Sequence, residues 1–262
     1  MAAAEAKGAS VKQIDSRLNI LDFGFPICDL RSKIKNQKSK IACVLCLVSC
    51  ALCLMSAMPS LAEDEDRFTI ARVKYGGGGD WYVGQTQIPN LLKGLRERTN
   101  VETASKQTVI QLTDKKLYSY PFIYMTGHGN VAFTDDEVRV LRPYLIRGGF
   151  LWANDDYGMD KSFRREMKRV FPDKELVEVP FDHEIYHCYY DFPNGLPKIH
   201  EHDGKPPRGY GIFHEGRMVV FYDYESDIGD GLEDPDVHND PPEKREQALR
   251  MAINIVIYAL TH

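Results

Sequence analysis

Apolar and polar positions after residue 66 switch repeatedly between a two-residue and a 3.6-residue period, and the switches mark the elements. Phe68–Tyr75 (FTIARVKY) is rich in β-branched and aromatic residues and predicts a first strand, which runs into Gly76-Gly77-Gly78-Gly79-Asp80-Trp81. A helix is predicted from about Gln87 to Arg98, with Thr86 as N-cap, and a short strand over Val109–Leu112. Phe122–Thr126 is an apolar run ended by Gly127-His128-Gly129. Thr134 and Glu137 then form a capping box, Val138, Leu141, Tyr144 and Leu145 recur at helical spacing, and Gly148-Gly149 stops the helix. Phe150–Ala153 reads as a buried strand closed by Asn154-Asp155-Asp156. Strand, loop, helix, glycine turn and strand make a βαβ unit, whose crossover sets the two strands parallel.

The theme repeats in a helix at Lys161–Val170 and a strand at Glu175–Val179. After Pro180 the chain turns Pro/Gly-rich, with short strands expected at His183–Tyr190 and Tyr210–Phe213. Arg217–Tyr222 is another buried-type strand, and Glu243–Leu260 a long closing helix with Leu249, Ala252, Ile253, Val256, Ile257 and Leu260 on its apolar face. The expected fold is a single α/β domain over 63–262, an open, mostly parallel sheet with helices on both faces.

Ahead of it lies an export pattern. Arg31, Lys33, Lys35, Lys38 and Lys40 precede an apolar run from Ile41 to Met58, then Pro59, Ser60-Leu61-Ala62 and four acidic residues. A basic flank, an apolar core and small residues before a cut are the features of a signal peptide, here 41–62 with cleavage after Ala62. Two alternatives stand beside it: a lipobox at Leu47–Cys50, and an uncleaved anchor, whose 18 residues would reach about 27 Å as a helix. Residues 1–40 exceed a normal leader and read as an extension, from a start placed too far upstream or a disordered tail. The expected location is the periplasm or envelope, with the membrane touched only through the N-terminal segment.

Cleavage after Ala62 leaves 25 basic and 34 acidic residues, a net charge of −9 that argues against nucleic acid and anionic membrane surfaces as partners. It also leaves Cys188 as the sole thiol, so no disulfide framework exists.

FIYMTGHG (122–129), RPYLIRGGFLWANDD (142–156), FRREMKRVFP (163–172), DHEIYH (182–187) and NIVIYALT (254–261) together resemble the bacterial DUF4159 family, over essentially all of 67–262. The resemblance implies a fold similar to class I glutamine amidotransferases, which are flavodoxin-like, and an envelope setting beside membrane-anchored proteins. It implies no activity. Amidotransferases of that class use a cysteine on a tight strand-to-helix turn. Thr126-Gly127-His128-Gly129 is the turn most like it and carries no thiol, while Cys188 lies in HCYY without a glycine elbow. Glutamine amidotransferase activity is therefore not expected.

In open α/β sheets ligands bind beyond the carboxyl ends of the parallel strands. Three motifs fall there: Gly76–Trp81, Gly127–Asn130 and Asn154–Tyr157. Gly77, Gly78, Gly127 and Gly129 could present backbone N–H groups to a ligand, although the four-glycine loop matches no phosphate-binding fingerprint and reads first as a tight turn. Trp81 offers a stacking surface and His128 an acid, base or ligand. Asp155 and Asp156 alternate on an extended segment, so one faces the site and the other caps the next helix. His183 and His187, four apart, are the candidate metal ligands, with Asp155, Asp156 or Asp223 as a third. Asp223, Asp227 and Asp230 have a Ca²⁺-like look but lack EF-hand spacing, and the run to Asp236 reads as a solvated acidic loop.

Two classes of function follow. One is a non-catalytic binding or assembly module of the envelope, partnered by envelope proteins or a small ligand, and preferred because no complete catalytic signature is present. The other is a hydrolase on a glycan or peptide using His128, Asp156 and His183, with a divalent metal as its one candidate cofactor.

Overall fold

In the computed structural model, which describes residues 67–262, seven strands form one sheet in the order β2-β1-β3-β4-β7-β6-β5. They are β1 (Ala71–Val73), β2 (Thr108–Ile110), β3 (Phe122–Met125), β4 (Phe150–Asn154), β5 (Val177–Glu178), β6 (Arg208–His214) and β7 (Arg217–Tyr224). The five strands from β2 to β7 run parallel, and β6 and β5 are added antiparallel at one edge. The helices are α1 (Gln87–Arg98), α2 (Asp135–Ile146), α3 (Asp160–Val170), the short α4 (Ile228–Leu232) and α5 (Pro235–His238), and α6 (Pro242–Thr261).

Strand alternation sorts the core into two layers. Phe122, Tyr124, Phe150, Trp152 and Phe221 pack with α1 and α6, whereas Ile123, Met125, Leu151, Ala153 and Val220 pack with α2 and α3. Helices therefore cover both faces, and β3 and β4, with every residue buried, read as continuous apolar runs. The capping box of Thr134 and Glu137 is present at α2. Thr86 makes no cap bond; its hydroxyl instead accepts from the Asp234 amide at 3.1 Å.

His183–Tyr190 forms no strand. Its centre is a 3-10 turn, Glu184–Tyr186, because Asn254 of α6 satisfies the backbone that a neighbouring strand would otherwise meet. The Asn254 amide donates to Ile185 O (3.2 Å) and Tyr190 O (2.8 Å) and accepts from Tyr190 N (2.8 Å). The leader, its cleavage site, the lipobox alternative and the 1–40 extension lie outside the described residues; among those residues no helix is long and apolar enough to cross a membrane.

Candidate functional site

The carboxyl ends of β1, β3, β4 and β7 gather histidines and carboxylates. Within β1, buried Arg72 pins the chain that follows the strand by donating to Gln107 (3.0 Å), Gly84 O (2.6 Å), Val83 O and Trp81 O. The glycine loop beside it is spent on structure. Gly77 and Gly78 take positive φ, Gly79 N donates to Asn130 O at 3.0 Å, and a Cβ on Gly77 would lie 2.6 Å from Ala132 N. The loop delivers Asp80, which accepts from the His128 amide and holds His128 Nδ1 at 3.0 Å. Gly127 (φ 138°) is buried against Tyr75 and Asp80, and Gly129 (φ 82°) donates to Tyr157 O at 3.1 Å.

At the end of β4, Asp156 approaches His128 Nδ1 at 3.4 Å. Asp155 turns elsewhere, as alternation requires. Its amide donates to Asp223 Oδ1 (3.0 Å), and it does not cap α3, whose N-cap is Met159 without a side-chain bond. Asp223 is fully buried and accepts from Trp152 Nε1 at 2.9 Å.

The loop after β7 is the unusual part. Glu225 and Asp227 both adopt left-handed φ, a strained choice for non-glycine residues that recurs at functional sites. Asp227, 1% exposed, receives His200 Nδ1 at 3.0 Å and His202 Nε2 at 3.1 Å. Asp230 Oδ2 lies 3.2 Å from His200 Nδ1 and 3.4 Å from His238 Nε2. Asp156, Asp227 and Asp230 bring ligand atoms within 4.8 Å of one another, as do His200, Asp230 and His238. The acidic run is thus not a solvated loop in its first half: Asp223 and Asp227 are buried and Asp230 half-buried. Asp223 serves Trp152 and Asp155, leaving Asp227 and Asp230 for the cluster.

Crowding sets the proton affinities. Burial, then the charges of Asp227 and Asp230, push Asp156 up to about 9, and burial pushes Asp155 up to about 6. Hydrogen bonds to Asp227 and Asp230 raise His200 to about 10. Burial alone would raise Asp227, but the His200 and His202 bonds outweigh it and hold it below the usual carboxylate value.

Of the trio His128, Asp156 and His183, the structure joins only the first two. His183 sets its ring edge-on to Phe213 and tilted against Tyr258, near the start of β7 and the end of α6, at the opposite end of the sheet. It shares no site with His187, whose ring nitrogens meet Asp191 (2.5 Å) and Phe181 O (2.8 Å). The spacing of four loses its meaning because a 3-10 turn, neither helix nor strand, separates the two. A cleft of about 770 Å³ between Phe68, Lys106 and Tyr120 also sits at that far end and contains no cluster residue, so chemistry rather than size locates the site. Sequence reading missed Asp80, His200, His202, His238 and Asp240. The one available signal was His-x-His at 200–202, in a stretch without periodicity.

Fold and site together define an α/β protein with a histidine–carboxylate cluster, its carboxylates buried or half-buried, where its strands end. Residues 69–260 match the family model described as Domain of unknown function (DUF4159), and the chain belongs to that family. No curated protein matches it.

Proposed function

We propose that this chain is a divalent-cation-dependent hydrolase whose centre is the carboxyl-end cluster. The observation that carries the reading is the meeting of Asp156, Asp227 and Asp230 within 4.8 Å, at buried or half-buried positions. Oxygen ligands at 2.0–2.6 Å from a Mg²⁺, Mn²⁺ or Ca²⁺ ion span about that distance. A cation there would offset the burial and the like-charge crowding that together drive Asp156 upward, and would supply Lewis acidity and an acidified water.

His128 is the group placed to move the proton. Its side chain is 54% exposed, and Asp80 orients it as carboxylates orient catalytic imidazoles. With Nδ1–H donating to Asp80, Nε2 keeps the lone pair. It takes a proton from water as the water oxygen bonds to the electrophilic carbon and the bond to the leaving group breaks in the same step, and the departing oxygen takes up a proton from solvent. Tyr82 (56% exposed), two residues after Asp80, and Tyr157 (49% exposed), next to Asp156, suit stacking on a sugar ring, which favours a glycan over a peptide. The export pattern of residues 41–62 supports an envelope location for that substrate.

The test is release of 4-nitrophenol from 4-nitrophenyl glycosides after chelation and after Mn²⁺ or Mg²⁺ is restored. Turnover that depends on the cation and falls by about 10²-fold or more in His128→Ala, with Tm unchanged, is expected. Absence of cation-dependent turnover on glycosides and peptide amides alike would return the chain to the class of binding modules.

A further inference from the structure

We infer that the centre holds two cations, the second on His200, Asp230 and His238, with Asp230 bridging the pair; this rests on the hydrolase reading above and deepens it. The second set differs from the first in chemistry. Two imidazoles and one carboxylate suit Zn²⁺, Mn²⁺ or Fe²⁺, whereas the three carboxylates suit a harder ion.

Three observations carry the assignment. The separations are those of a coordination shell: ligands 2.0–2.1 Å from a tetrahedral ion lie about 3.3 Å apart. His200 Nδ1 and His238 Nε2 lie 3.2 and 3.4 Å from Asp230 Oδ2. The outer partner is also in place, since His200 Nε2 meets both oxygens of Asp240 at 3.1 Å. A metal-binding histidine commonly has its other nitrogen held by a carboxylate in this way, which fixes ring orientation. Finally, Asp230 belongs to both sets, and a carboxylate has two oxygens. One for each ion gives the bridged geometry in which paired ions clamp the attacking and leaving atoms of a displacement.

His202 marks the boundary of the centre. Its side chain is 9% exposed, Nε2 holds Asp227, and Nδ1 is buried with no hydrogen-bond partner among the described residues. It therefore supports the first set through Asp227 and is not counted as a ligand of the second.

The experiment uses the full chain, stripped by chelation, loaded with Mn²⁺, freed of excess by gel filtration and assayed by elemental mass spectrometry and paramagnetic resonance. Two Mn²⁺ per chain with a spin-coupled signal are expected. His238→Ala and Asp156→Asn are each expected to retain one ion with an isolated-ion signal. One ion per chain in the unaltered protein, unchanged in His238→Ala, would overturn the second site and leave the hydrolase reading standing. No bound ion would overturn both. The ratio in the unaltered chain decides between these outcomes even if a variant folds poorly.

Discussion

Replacing Asp156 with asparagine should stabilise the cation-free protein at neutral pH, the opposite of what removing a buried charge partner normally does. Asp156 is 3% exposed, and burial beside Asp227 and Asp230 lifts its pKa from the ordinary 3.8 to about 9. At pH 7 the folded chain keeps the carboxyl protonated while the unfolded chain ionises it. Each pH unit of that mismatch is worth about 1.4 kcal/mol, so the interval from 3.8 to 7 amounts to about 4 kcal/mol as an upper limit. Asparagine has the shape of the protonated acid and escapes the mismatch. Because the folded value is raised, the stability Asp156 contributes is fully present below about pH 4 and is lost as pH climbs through 9. The variant should therefore match the parent near pH 4 and exceed it progressively above. At about 2–4 °C per kcal/mol for a domain of this size, the gain at pH 7 approaches roughly 10 °C in Tm. Thermal melts in chelator from pH 4 to 8 measure it. A hundredfold excess of Mn²⁺ over Kd should narrow the gap, because the parent gains about 2.7 kcal/mol from an ion at this site and the variant loses a ligand there. A variant destabilised by more than ~1 kcal/mol in chelator at pH 7 would refute the argument, because Asp156 would then act as an anion already engaged by its neighbours.

Other changes follow from single contacts. Asn154 is fully buried and bridges Thr126 Oγ1 (3.0 Å) and the Gly229 amide (2.7 Å), so Asn154→Ala orphans two groups and should cost about 2–5 kcal/mol in urea denaturation; a loss under 1 kcal/mol would contradict the bridge. Gly77→Ala should cost at least about 1 kcal/mol more than Gly78→Ala: both have positive φ, but only the first Cβ meets backbone, at 2.6 Å. Burial pushes the Cys188 thiol up to about 11, and it donates to Asn254 O at 3.3 Å, so Cys188→Ala should leave cation-dependent turnover within about twofold; a tenfold loss would restore the thiol as a candidate nucleophile.

The sheet was legible because its signals are local. Phe122–Met125 and Phe150–Asn154 are buried on both faces and announce themselves as apolar runs, and Thr134 and Glu137 mark a helix start by contacts three residues apart. Crossover chirality does the rest. His128 and Asp156 were legible for the same reason, since each closes a strand that could be read. The other half of the cluster was not. His200 and His202 sit in an irregular segment, and Asp227 faces them only because two residues after β7 take left-handed backbone. No spacing rule reports that turn, and an aspartate-rich run is more often solvated. His183 and His187 erred in the opposite direction: their spacing suggested a shared face, but Asn254, 71 and 67 positions on in the sequence, converts the segment into a turn.

The most direct test of the account is the metal content of the purified chain by elemental mass spectrometry, beside His183→Ala/His187→Ala and Asp230→Asn. The account predicts near-stoichiometric or greater divalent metal in the unaltered chain, the same amount in the double histidine variant, and a loss in Asp230→Asn. Metal that disappears with His183 and His187, or metal absent from all three proteins, would contradict it.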